Sequence, residues 1–104
     1  MLQELEADNL QEIVEQNPNV IVQYGASWCG VCKIIKPKFT KLSDEHTDVK
    51  FIYVDAEKFP KSRELANVSN LPTFAGFANG KLVKQAMGSN ESAIKGVLDE
   101  IAAH

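Results

Sequence analysis

Val20-Ile21-Val22-Gln23-Tyr24, a mostly apolar and β-branched run, leads within a few residues into Ser27-Trp28-Cys29-Gly30-Val31-Cys32-Lys33. A run of that kind is what a strand buried on both faces requires. Beyond the cysteines, Cys32, Ile35, Phe39 and Leu42 recur at spacings of three and four, so a long helix should start after Cys29. Pro37 falls inside it, removes one backbone donor and should kink it. The next apolar run, Phe51-Ile52-Tyr53-Val54, is closed by Asp55 and reads as a second buried strand. Strand, helix and strand in succession imply parallel strands joined by a crossover.

The flanks extend the same pattern. Leu2 to Leu5 reads as a short strand, and Asp8-Asn9-Leu10-Gln11 as a helix start. Asp8 should cap that helix while Gln11 reaches back, with Leu10, Ile13 and Val14 on one face and Asn17-Pro18 as the stop. Downstream, a short helix is expected after Pro60, with Leu65 and Ala66 inward. Thr73 to Ala78 and Lys81 to Met87 flank Asn79-Gly80, a strong hairpin signal because both turn residues tolerate positive φ. Ser89 or Asn90 should cap a last helix with the apolar stripe Ile94, Val97, Leu98 and Ile101. The order β-α-β-α-β-α-β-β-α predicts a mixed sheet with helices on both faces and the hairpin adding antiparallel strands at one edge.

At 104 residues, 44% hydrophobic and 24% charged, the chain is expected to form a single domain over 1–104 with one ordinary core. A net charge of −3 argues against nucleic-acid binding, which wants a basic face. No run approaches the ~18 apolar residues of a membrane helix. Met1-Leu2-Gln3-Glu4-Leu5-Glu6 lacks the apolar core of a secretory signal, which points to an intracellular setting, although a trimmed mature form would look the same.

Two cysteines in such a chain suggest redox chemistry or metal. Zinc fails on ligand count, because His46 and His104 have nothing like the spacing of a ligand pair; both are read as exposed bystanders. A structural staple gains little, since closing so short a loop yields roughly 2 kcal/mol in the chain-entropy model. A redox dithiol suits the arrangement. Cys29 at a helix N-terminus meets free N–H groups and the positive end of the dipole. Lowering a thiol pKa from ~8.5 to ~7 takes about 2 kcal/mol, which such a terminus can supply. Cys29 is therefore the candidate nucleophile. Cys32, one turn inside, is the resolving thiol, and Lys33 is either a modest aid to the thiolate or a solvated lysine.

Taken with Pro37, Leu71-Pro72-Thr73-Phe74, Phe77-Ala78-Asn79-Gly80 and Gly88, the segment Trp28-Cys29-Gly30-Val31-Cys32-Lys33 resembles the thioredoxin family. The similarity runs in register from about Leu2 to Ile101, with a one-residue deletion between Cys32 and Pro72. It implies the thioredoxin fold, a five-stranded mixed β-sheet flanked by four α-helices. It also implies reduction of disulfides in protein substrates, with no bound cofactor. The Cys29–Cys32 pair would be the redox-active disulfide, recharged by an NADPH- or ferredoxin-driven thioredoxin reductase. By resemblance Trp28 covers the sulfurs, Pro72 is a cis-proline facing them, and the backbone of Leu71 pairs with an extended substrate. Gly30, Val31, Met87 and Gly88 complete a shallow apolar groove. A cytoplasmic monomer is expected. Two rivals stand beside this reading: a more oxidising dithiol that donates or shuffles disulfides, and a redox-independent binding subunit that uses the same groove.

The chain departs from the family pattern in several places. Gln23 stands where a buried aspartate is usual, which alters the proton-transfer position beneath Cys32. The lysine that usually partners that aspartate aligns with Phe51; matching it to Lys50 instead would turn the side chain to the other sheet face. A common tryptophan becomes Gly25, and the central proline of the motif becomes Val31.

Overall fold

A computed structural model describes residues 1–104. The elements follow the expected order: β1 (Leu2–Glu4), α1 (Leu10–Gln16), β2 (Asn19–Gly25), α2 (Gly30–Glu45), β3 (Lys50–Asp55), α3 (Pro60–Arg63), β4 (Thr73–Ala78), β5 (Lys81–Met87) and α4 (Glu91–Ala102). The strands form one sheet in the order β1-β3-β2-β4-β5. β1, β3 and β2 run parallel, while β4 lies antiparallel to β2 and β5 antiparallel to β4. This is the five-stranded mixed sheet with four helices, and the hairpin occupies one edge. β1, three residues long, forms the other edge, and β5 presents Lys81 and Lys84 to solvent.

The strand period of two explains why β2 had to be apolar on both faces, with Gln23 its one fully buried polar side chain. Val20, Val22 and Tyr24 point into a cluster with Leu10 and Val14 of α1, Ile52 and Val54 of β3, and Ala75 and Phe77 of β4. Ile21 points the other way, into a cluster of Ile35, Phe39 and Leu42 from α2, Phe51 and Phe74 from the sheet, and Ile94, Val97, Leu98 and Ile101 from α4. The sheet is thus covered on both faces, and the buried stripes of α2 and α4 are those the spacing predicts. α2 continues through Pro37 without interruption.

Gly76 sets how closely α4 lies on the sheet. A Cβ there would come within 2.6 Å of Val97 Cγ1 and 2.9 Å of Ile101 Cδ1. The β4–β5 ladder slips immediately afterwards, between Gly76 and Phe77. The hairpin turn places Asn79 at φ 54° and Gly80 at φ 82°, as the dipeptide predicts. Asn90, not Ser89, caps α4: its side chain accepts the Ala93 N–H at 3.3 Å.

Three local expectations are corrected. Asp8 does not cap α1, whose N-cap is Asn9 without a side-chain bond, and Gln11 reaches forward to Glu15. Asp8 instead caps α3, which Phe59 precedes and cannot cap: its carboxylate accepts Lys61 N–H at 3.0 Å, and Ser62 N–H and Ser62 Oγ–H at 2.7 Å each. Ser62, itself buried, also accepts the Leu10 N–H on its hydroxyl and the Tyr24 hydroxyl on its carbonyl. α3 ends at Arg63, so Leu65 and Ala66 are partly buried from the turn beyond it. His46 is half-buried, with its ring centroid 6.4 Å from that of Phe51, whereas His104 is exposed beside Glu100.

Candidate functional site

β2 delivers the chain through Ala26-Ser27-Trp28 to Cys29, which is the N-cap of α2. The Cys29 Sγ accepts the Cys32 N–H at 3.1 Å, so the sulfur already satisfies one of the free donors of the first helical turn. Cys29 and Cys32 are joined as a disulfide with Cα atoms 5.3 Å apart. Cys29 is 6% exposed and Cys32 is fully buried, so of the two sulfur-bearing residues only Cys29 reaches solvent. Ala26 and Leu71 pack against the pair.

The segment ahead of β4 arrives beside the disulfide through a cis Leu71–Pro72 bond. Thr73 pairs with Met87 across the β4–β5 ladder, and Gly88 N–H donates to Pro72 O at 3.4 Å, so the ends of both strands meet at Pro72. Met87 is 52% exposed, and its sulfur accepts from Asn70 Nδ2 at 3.4 Å. Trp28, 66% exposed, donates its indole N–H to Glu57 Oε1 at 2.7 Å. The turn that presents Glu57 is fixed by Asp55, whose carboxylate accepts the Glu57 and Lys58 N–H groups. Gly30 and Val31 are exposed at the start of α2. Sequence reasoning passed over Ile34, which is 72% exposed and lies one turn beyond Val31; spacing that put Ile35 inward gave a signal for it.

The face around the cysteines is therefore apolar and shallow. The clefts of the surface lie along β1, beside Asn17–Asn19 and beside α3, and the disulfide sits in none of them. Such a surface suits a polypeptide better than an enclosed small molecule. Lys33 is exposed and makes no ion pair.

Beneath the site, Gln23 is fully buried and donates from Nε2 to the Cys32 carbonyl at 3.1 Å. Its Oε1 has no hydrogen-bond partner. The β2–β3 register pairs Ile21 with Phe51 and Val20 with Lys50. Phe51 accordingly joins the cluster under α2, on the face that Ile21 and Gln23 share, and Lys50 falls on the opposite face. The residue of β3 opposite Gln23 is Tyr53, not a lysine.

Gly25 also has a physical account. Its missing side chain makes room for Tyr53 from the neighbouring strand; a Cβ at Gly25 would lie 2.9 Å from Tyr53 Cζ and nearer still to the hydroxyl. Lys36 Nζ stands 4.2 Å from the Tyr53 ring centroid and pairs with Glu4 at 2.8 Å. Burial, with the charges of Asp55 and Glu4, pushes the Tyr53 phenol above its usual range. A tyrosine from β3 thus occupies the space that a side chain at Gly25 of β2 would need.

A family model described as thioredoxin matches residues 1–100. Thioredoxin 1 of Plasmodium falciparum is 38% identical over 91 residues, 88% of each chain. The mitochondrial thioredoxin-3 of Saccharomyces cerevisiae is 32% identical over 90 residues, 86% of this chain and 71% of the yeast protein. A solved structure of Plasmodium falciparum thioredoxin superposes with a TM-score of 0.86 at 34% identity, covering 93% of this chain and 96% of that one.

Proposed function

The chain belongs to the thioredoxin family, and from that premise we infer how its residues divide the work. The protein is a protein-disulfide oxidoreductase, and the Cys29–Cys32 pair passes two electrons to a substrate disulfide without a bound cofactor. Members of the family work with a thioredoxin reductase, which returns the electrons, and with disulfide-containing proteins.

In this reading the Cys29 thiolate attacks one substrate sulfur, and the second substrate sulfur leaves with a proton. Cys32 then loses its proton and attacks Cys29 Sγ, which releases the first substrate thiol and forms the internal disulfide. The observation that carries the assignment is the contrast between the two cysteines: Cys29 caps α2 and reaches solvent, whereas Cys32 is sealed within the first turn. Trp28, Gly30, Val31, Leu71, Pro72, Met87 and Gly88 form the substrate surface, with the Leu71 backbone pairing to an extended segment. The exposure of Trp28, Val31 and Met87 supports this, because large apolar side chains left in water around a reactive group mark a contact surface. Gln23 takes the proton-transfer position but cannot titrate, so the Cys32 proton leaves more slowly than to a carboxylate. We assign the protein to the cytoplasm as a single-domain monomer, in a reducing compartment where the dithiol stays charged. Fractionation against a mitochondrial marker and sedimentation test those two assignments.

Reduction of insulin disulfides with dithiothreitol tests the activity, and Cys29→Ser should abolish it. A Cys29→Ser, Cys32→Ser variant that kept its biological activity would favour the binding-subunit reading. Titration against glutathione separates a reductase from a disulfide donor.

A further inference from the structure

Gln23 Oε1 is an acceptor without a donor at a fully buried position next to the redox centre. The amide cannot be turned over to relieve this. Its Nε2 donates to the Cys32 carbonyl, and the reversed amide would set oxygen against oxygen. A buried carbonyl left unpaired is a recurring exception that calls for an explanation. In the disulfide form neither sulfur carries a hydrogen, so Cys32 has no side-chain donor to offer. Reduction changes that: the S–S bond takes up two electrons and two protons and becomes two thiols. Cys32, with no exposure to water, then holds an S–H in need of an acceptor, and the Gln23 amide whose oxygen lacks a donor is already bonded to the same residue through the Cys32 carbonyl.

We propose that Gln23 Oε1 accepts the Cys32 S–H in the reduced protein, which makes Gln23 a positioning residue that holds the resolving thiol and favours dithiol over disulfide. The proposal rests on the assignment of Cys32 as the buried resolving thiol. The Nε2 bond goes to the Cys32 carbonyl and involves no sulfur, so reduction removes neither of its partners. The Oε1 bond exists only after reduction, and its absence in the disulfide form leaves that form with an unsatisfied group.

Two measurements test it. The first compares the wild type with Gln23→Leu, which removes the acceptor at similar volume, in equilibrium with glutathione. The expected result is a shift toward disulfide of about tenfold, which is about 30 mV for a two-electron couple. A shift smaller than twofold would overturn the proposal. The second does not depend on that variant folding. In Cys29→Ser the only thiol is Cys32, and its S–H stretching band should lie below that of a free thiol in water-free surroundings. A band at the free position in Cys29→Ser with Gln23 intact would overturn the proposal. Insulin reduction separates the two levels: activity retained in Cys29→Ser would refute the assignment of the nucleophile, whereas activity lost with an unperturbed S–H band refutes only the role of Gln23.

Discussion

Gln23→Asp turns the buried amide into a test of how this site handles charge. The carboxyl would stand at a position with no exposure to solvent, with Phe51 where a lysine would help and with a carbonyl, that of Cys32, as its polar neighbour. Only a protonated acid can donate to that carbonyl. Desolvation and the acceptor contact therefore both raise the folded pKa of the new aspartate above its unfolded value of about 3.9. The sign follows from proton counts. Above about pH 4 the unfolded chain releases the proton and the folded chain keeps it, so stability falls as pH rises until the folded pKa is reached. The slope is about 1.36 kcal/mol per pH unit, so a folded pKa at or above 7 gives a deficit of roughly 1.5 kcal/mol at pH 5 and roughly 4 kcal/mol at pH 7. Urea denaturation of the oxidised wild type and variant at both pH values reads this directly. The variant should also resolve mixed disulfides faster above the raised pKa, because an ionised carboxylate there can take the Cys32 proton. Equal destabilisation at pH 5 and pH 7 would refute the reasoning.

Limiting iodoacetamide on the reduced protein should alkylate Cys29 before Cys32, read by peptide mapping; preferential labelling of Cys32 would reverse the assignment of roles. Gly76→Ala forces a methyl against Val97 and Ile101 and should cost about 1–3 kcal/mol in denaturant titrations, with part of it recovered by Val97→Ala. Gly25→Ala should lose stability through Tyr53, and the double variant with Tyr53→Ala should be more stable than the two single losses added together. Burial pushes the Asp8 carboxyl up, but the Ser62 hydroxyl, the backbone N–H groups of Lys61 and Ser62 and the Lys61 charge outweigh it and hold the pKa below its usual range. The stabilisation it gives is complete above its unfolded pKa of about 4 and fades as pH falls through the lower folded value, so Asp8→Asn should flatten the acid limb of the stability curve.

What the sequence reveals here is whatever depends on neighbours along the chain. The both-faces burial of β2, the stripe of α4 and the Asn79-Gly80 turn each follow from periods of two or 3.6 and from turn chemistry, and each stands where the pattern puts it. The cysteine pair is legible for the same reason, since its chemistry comes from a local helix terminus. Contacts between distant segments are not legible in this way. Asp8 carries the signature of a local cap, yet its carboxylate finds donors in α3 across a separation of 54 residues, a partner that only the tertiary fold supplies. Tyr53 reads as one more residue of a buried strand, and nothing near it in sequence says that Gly25 was emptied for it. Gln23 stands out by resemblance; that its oxygen is unpaired follows only from the packing around it.

The two open edges of the sheet bear on how such a protein behaves when crowded. An unguarded strand edge presents unpaired backbone groups and is where chains add to one another into fibrils. β1 is too short to offer more than a brief ladder, and β5 carries Lys81 and Lys84 outward, so that two copies meeting at that edge repel. The slip in pairing at Gly76 and Phe77 adds local twist to that flank. Strand addition is thereby discouraged at both margins of the sheet.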